Sequence, residues 1–250
     1  MNLFIFSEDL RIKDNKALYE ASLSRKGLSA LYIINKGKYE NHGDSHAKLK
    51  LKFLALEHIK KSFASLNISL KIIHSQNISA EPLEILKFCQ KYNIKNVFLN
   101  SEYPFNESQR NIKLEKLCIE NAIEYKEFDS QLINPNQIKN NSGQPFKVFT
   151  PFSKKMRLLM SSEILEEIPE PLKQEKVVLN QDEVPDFEHI FARDLNFPIE
   201  NIPVTEESCD QRLEAFIDSS IGQYKELRDI PSITATSNLS SSFAIGLISS

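Results

Sequence analysis

Cysteine is scarce: the three residues Cys89, Cys118 and Cys209 show no CxxC spacing. A disulfide framework or a zinc site is therefore disfavoured, and buried free thiols in a reducing cytoplasm are expected. Long apolar runs are also missing. None approaches the roughly 18 residues of a membrane span, and the apolar start at Leu3 passes at once into charged residues rather than a cleavage site. A cytoplasmic protein with no membrane partner is expected. Charge of one sign is lacking too. A formal net charge of −3 carries no global nucleic-acid signature, although a local positive patch is compatible with it. The turn after the first apolar run, Ser7-Glu8-Asp9, holds no GxGxxG, which disfavours a nicotinamide-dependent enzyme.

What is present is an ordinary globular composition, 41% hydrophobic and 26% charged, in a chain long enough for one large domain or one and a part. Up to about Phe128 strand-like and helix-like segments alternate. Leu3–Phe6, Leu28–Ile34, Ser69–Ile73, Asn96–Leu99 and Ile123–Phe128 read as five short strands. Asp14-Asn15 can cap a helix through Ser24, with Gly27 ending it. Ala47–Leu66 is the clearest helix: Leu49, Phe53, Leu56, Ile59 and Phe63 recur every three or four residues, leaving Lys48, Lys52, Lys60 and Lys61 for water. Short strands without clean alternation, separated by amphipathic helices, predict an α/β fold with a doubly wound five-stranded parallel sheet. That architecture alone does not specify a function.

From Ser162 to Pro203 the composition shifts. Five of the eleven prolines fall here, with acidic clusters such as Glu166-Glu167, and this reads as a long connector ordered by packing if at all. Helical pattern resumes at Thr205. Thr205 and Glu207 suit an N-terminus, and Leu213, Phe216 and Ile217 supply an apolar face. Near the end, Tyr224-Lys225-Glu226-Leu227-Arg228-Asp229-Ile230-Pro231 precedes Thr236-Ser237-Asn238-Leu239-Ser240-Ser241-Ser242-Phe243. Hydroxyls and backbone N–H groups before a helix are a natural seat for phosphate. On composition alone, a frayed serine-rich tail is the alternative.

Three segments together resemble one family, the DNA photolyases and cryptochromes. The first is the N-terminal Phe4-Ile5-Phe6-Ser7-Glu8-Asp9-Leu10-Arg11-Ile12-Lys13-Asp14-Asn15. Phe6, Asp9, Leu10, Arg11, Asp14 and Asn15 match the family pattern there, while Ser7 replaces an arginine and Ile5 a tryptophan. The second is Gly143-Gln144-Pro145-Phe146-Lys147-Val148-Phe149-Thr150-Pro151-Phe152, similar to the segment between the family's two domains. The third is the Tyr224 to Ser240 stretch, similar to its FAD-phosphate loop, with Asn238 where a cation is common and Ser241 where a proline is frequent.

The resemblance implies an antenna domain over 1–130, an interdomain segment and Pro/acidic linker over 131–204, and the start of a helical FAD domain over 205–250. It implies light-driven splitting of cyclobutane pyrimidine dimers in DNA by electron transfer from reduced FAD, a carbon–carbon lyase activity with no side chain acting as acid or base. Tyr224, Thr236, Ser237, Leu239 and Ser240 carry over as FAD-binding residues. His42, Asn106 and Glu107 carry over as ligands of a methenyltetrahydrofolate-type antenna. A carboxylate can accept adjacent N–H donors of a pterin edge. On their own, Asn106 and Glu107 read as a helix N-cap and first turn, and His42 and His46 as exposed loop histidines rather than metal ligands. The family's electron-relaying tryptophans and basic DNA groove belong to its helical domain, so the lack of tryptophan here excludes nothing. This chain alone is expected not to repair DNA: the terminal segment Thr236-Ser237-Asn238-Leu239-Ser240 is expected to fray, leaving Phe216, Ile217, Phe243, Ile245, Leu247 and Ile248 partly uncovered and the C-terminal end dependent on a partner, such as a second chain supplying the rest of the FAD domain. A cryptochrome photoreceptor and a stand-alone ligand-binding module without FAD are the alternative readings.

Overall fold

The computed structural model describes residues 1–129, 138–162, 167–191 and 199–249. Five strands, β1 (Asn2–Ile5), β2 (Leu28–Asn35), β3 (Ser69–Ser75), β4 (Asn96–Asn100) and β5 (Glu124–Phe128), form one sheet in the order β3-β2-β1-β4-β5, and every pairing is parallel. The helices between them are α1 (Lys16–Ser22), α2 (Lys36–His42), α3 (His46–Ser65), α4 (Glu81–Lys91) and α5 (Phe105–Glu120).

Side chains of a strand alternate between faces, and β1 shows the consequence. Phe4 and Phe6 enter a core with Leu18 of α1 and Leu49, Phe53, Leu56, Ile59 and Phe63 of α3. Leu3 and Ile5 enter a second core with Ile85 and Phe88 of α4 and Leu114 of α5. Both faces of the central strands are covered, which is why β1 and β2 are buried throughout. No helix among the described residues is long and apolar enough to cross a membrane.

Local signals set several helix ends. The Asn15 side chain accepts from Leu18 N and caps α1, but that helix stops at Ser22 rather than Ser24. Gly27 lies beyond it against Val178 and does not end it. Lys52 is a second correction: it is only 2% exposed and its Nζ lies 2.6 Å from Glu8 Oε1. Burial lowers its pKa against the attraction of Glu8. Helical periodicity places Lys52 on the water-facing side; the loop after β1, which reaches over that position, does not.

The described part of the connector is packed, contrary to a merely tethering segment. Asp14 N and Ile168 O are bonded, and Leu172 N donates to Ser22 Oγ. The Gln174 side chain, 2% exposed, accepts from Gly27 N and donates to Ser22 O and Leu172 O. Further on, Asp182 N donates to Leu70 O and the Asp182 carboxylate accepts from Ile72 N and Lys71 Nζ. These bonds satisfy the free edge of β3, an edge that would otherwise invite pairing with another chain. The strap ends in α7 (Phe187–Phe191), whose Phe187 and Phe191 pack on Phe53 and His46. Glu166, Pro198 and the expected domain boundary at 130 lie outside the described residues.

Three helices have little cover. They are α6 (Phe149–Ser162), α8 (Glu206–Ser219) and α9 (Tyr224–Leu227). Thr205 caps α8 and Glu207 lies in its first turn, as expected, and Ser208 closes a capping box. Glu206 binds the N–H groups of Ile12 and Lys13 and so anchors α8 to the sheet domain. Leu213 and Ile217 of its apolar face are 42% and 47% exposed.

The end of the chain departs from expectation. Leu239, Ile245 and Leu247 are buried in the same core as Phe4 and Leu10, while Phe243 is exposed. Leu10 N donates to Ile245 O and Arg11 Nη1 to Gly246 O. Gly246 sits at φ +68, and a Cβ there would come within 2.0 Å of Glu8 O. Close backbone approach and two apolar anchors hold this segment down. Fraying was the expectation because a terminal position was weighed without its partners.

Candidate functional site

The C-terminal edge of the parallel sheet gathers an amide from β2 and charged side chains from α2, α4 and α5. Asn35, the last residue of β2, accepts from Lys38 N at 2.8 Å and so starts α2. It also donates to Glu81 Oε1 at 2.7 Å, tying α2 to the first turn of α4. His42 is the last residue of α2, which Gly43 ends in the left-handed conformation at φ +65. It is therefore a helix-end histidine and not the loop residue expected.

Glu107, in the first turn of α5, is 3% exposed. Its Oε1 lies 3.2 Å from Lys38 Nζ and 3.8 Å from His42 Nδ1. Its Oε2 is buried with no hydrogen-bond partner among the described residues. One helical turn on, Arg110 joins Glu81 at 3.1 Å and also pairs with Glu102 and Asn111. Burial works against the Lys38 ammonium, yet Glu102, Glu81 and Glu107 outweigh it and hold its pKa above the ordinary lysine value.

His42 and Glu107 thus meet. Asn106 does not join them: it is exposed, and the N-cap is Pro104, which has no side-chain donor or acceptor to offer. Lys38 and Arg110 escaped the sequence reading, although the three-residue step from Glu107 to Arg110 on one helix was a usable signal. The buried Glu107 oxygen is the observation that fits a ligand. A buried acceptor left unmade costs about 1–3 kcal/mol, and adjacent ring N–H donors would satisfy it. Among the described residues no group of His, Cys, Asp and Glu is arranged to hold a metal.

A second concavity, about 590 Å³, lies between α8 and the segment before the short helix α10 (Ser240–Ala244). Thr236 and Ser237 line it opposite Ser208, Gln211 and Arg212. Leu239 is buried in the core below, and Ser240 faces solvent as the first residue of α10. With five residues, α10 is too short to act as the helix N-terminal phosphate seat expected from the sequence. Hydroxyls and a guanidinium across the cleft are the donors instead. Tyr224 stands outside the lining; its ring packs edge-on to Phe216, 5.9 Å between centroids, and lies under Arg228. Hydroxyls and one cation suit a diphosphate, so the donor set fits the phosphate part of a dinucleotide. The cleft is one wall, open to solvent.

The sequence profile described as DNA photolyase matches residues 2–173. The deoxyribodipyrimidine photo-lyase of Buchnera aphidicola subsp. Acyrthosiphon pisum is 30% identical over 251 residues, covering 100% of this chain and 51% of the relative. That of Escherichia coli is 26% identical over 254 residues, covering 99% and 52%. Among solved structures, a bacterial class III photolyase from Agrobacterium tumefaciens superposes with a TM-score of 0.82 at 21% identity, over 99% of this chain and 51% of that one. An archaeal photolyase from Sulfolobus tokodaii, described with two FAD molecules, gives 0.73 at 18% identity over 100% and 53%. The chain spans about half the length of the relatives it matches.

Proposed function

Because the chain belongs to the DNA photolyase family, we propose that it forms the antenna domain and the opening of the FAD domain of a photolyase, which splits cyclobutane pyrimidine dimers in DNA with light. Residues 1–130 are the antenna domain, 131–204 the interdomain segment and linker, whose described part from 167 to 191 packs on the sheet domain, and 205–250 the opening of the flavin domain. Three free, buried cysteines suit a reducing cytoplasm. The reading is carried by the cleft that joins Thr236 and Ser237 to Arg212, in a chain aligned along its whole length with deoxyribodipyrimidine photo-lyases.

In the family, the chemistry supplied is light energy from an antenna chromophore and an electron from reduced FAD. The residues of this chain bind and orient. Thr236, Ser237 and Arg212 hold a diphosphate by charge-assisted hydrogen bonds. The buried Glu107 carboxylate accepts from the ring edge of a folate-type antenna, with the Lys38 ammonium beside it and His42 closing the side of the site. No residue serves as an acid or base.

A titration of FAD fluorescence against the purified protein tests the flavin part. Saturable quenching, weakened about tenfold by Arg212→Gln or by Thr236→Ala, is expected from the loss of one charged or shared hydrogen bond. Quenching that is absent, or that neither variant weakens, overturns it. Repair itself requires a ring pocket and a DNA groove that this half does not enclose. We therefore expect no dimer loss when the 250 residues alone are illuminated with FAD, reductant and dimer-containing DNA. Loss above a protein-free control would refute the division of labour, and would mean that a second chain is not needed.

A further inference from the structure

We propose that the segment 138–162, centred on α6, is a DNA-backbone contact surface on the antenna half of the protein. The inference rests on the photolyase reading above and goes beyond it, because it places a DNA contact outside the helical domain. A chain of net charge −3 holds no Asp or Glu between Asp129 and Glu163, yet carries Lys139, Lys147, Lys154, Lys155 and Arg157 there. No described residue from 138 to 161 is buried, and none of the five cations joins an ion pair with a described residue. Elsewhere several half-buried lysines of the helices pair with acids of the strap, as Lys60 does with Glu183 and Lys50 with Glu188. A run of uncompensated cations is the electrostatic footprint of a polyanion site.

The apolar residues of the segment accompany the charges. Phe149, Phe152, Met156 and Met160 recur at three- and four-residue steps, with the Phe149 and Phe152 rings 6.2 Å apart and Phe149 75% exposed. Lys154, Lys155 and Arg157 fall between them. A basic amphipathic helix also suits an anionic membrane, but there the cations sit on the polar face of the helix itself. Here they continue past the helix start to Lys147 and, beyond a turn in which Asn140 binds Ser142 N and Gln144 N, to Lys139. A ridge running along an ordered turn and helix matches a string of phosphates, with aromatic rings beside it for unstacked bases.

The test is fluorescence anisotropy of a short duplex, with and without a pyrimidine dimer, at salt between about 50 and 200 mM. The variant Lys147→Gln/Lys154→Gln/Arg157→Gln removes three exposed cations without touching a packed residue. For duplex DNA each phosphate contact contributes about 0.9 to the slope of log affinity against log salt. The variant should lose about 2.7 in slope, so that affinity falls about 40-fold less across that salt range. The loss should be equal on both duplexes, because phosphate contacts carry no sequence information. Lys61→Gln/Lys95→Gln/Lys176→Gln, with the same charge change at exposed remote sites, should keep the slope. An unchanged slope in the first variant, an equal fall in the second, or binding of the segment to phosphatidylserine vesicles that DNA does not displace overturns the inference. The photolyase reading is judged separately, by the FAD titration, so the two can fail independently.

Discussion

Replacing Gly246 by alanine tests whether the C-terminal segment is held by one close backbone contact. Two costs add at this position. A side chain at φ +68 costs about 1–2 kcal/mol for its left-handed conformation. The new Cβ would also sit 2.0 Å from Glu8 O and 2.6 Å from Asp9 Cα, both backbone atoms of the β1–α1 loop, so neither can rotate away. The tail must lift, breaking the Arg11–Gly246 and Leu10–Ile245 bonds and exposing Ile245 and Leu247. Burial of each of those side chains contributes about 1.5–3 kcal/mol, offset by the freedom the released residues regain. The expected loss is about 2–4 kcal/mol. Gly43→Ala is the control: it has nearly the same φ, +65, and nothing within 4 Å of its Cβ, so it should cost only about 1–2 kcal/mol. Urea unfolding gives the two stabilities, and hydrogen exchange at the Leu10 amide shows whether the tail has lifted. Equal losses in the two variants, with Leu10 still protected in Gly246→Ala, would refute the reasoning.

Glu107→Ala should weaken binding of methenyltetrahydrofolate about 10- to 100-fold in a fluorescence titration, the worth of one charge-assisted hydrogen bond, whereas Asn106→Ala, at an exposed position, should change it little. Gln174→Ala strands the buried Gly27 N–H and should cost about 1–3 kcal/mol, seen as faster protease cleavage of the strap. Lys38 has a raised pKa, so its stabilising charge is fully present below about 10.5, the unfolded value, and is lost as pH rises through the higher folded value. Stability measured from neutral pH into that alkaline range should therefore fall, and fall less in Lys38→Met.

Sequence by itself determined the parts that depend on near neighbours. The central strands were legible because both faces of β1 and β2 are buried, and α3 because its apolar residues repeat at helical spacing. Asn15 and Thr205 announced their helices because a cap binds an N–H three residues away. Tertiary structure alone decided the rest. Lys52 looks like a solvated residue until Glu8 reaches it across 44 positions. Glu107 and Asn106 look equivalent until packing turns one inward to Lys38 and His42 and leaves the other in water. The tail looks frayed until Arg11 bonds to Gly246, 235 residues on. Periodicity and capping are energies of a few adjacent residues and can be read in order along the chain. Burial of a charge, or the meeting of two backbones, depends on which distant segment arrives, and only the assembled sheet brings those segments together.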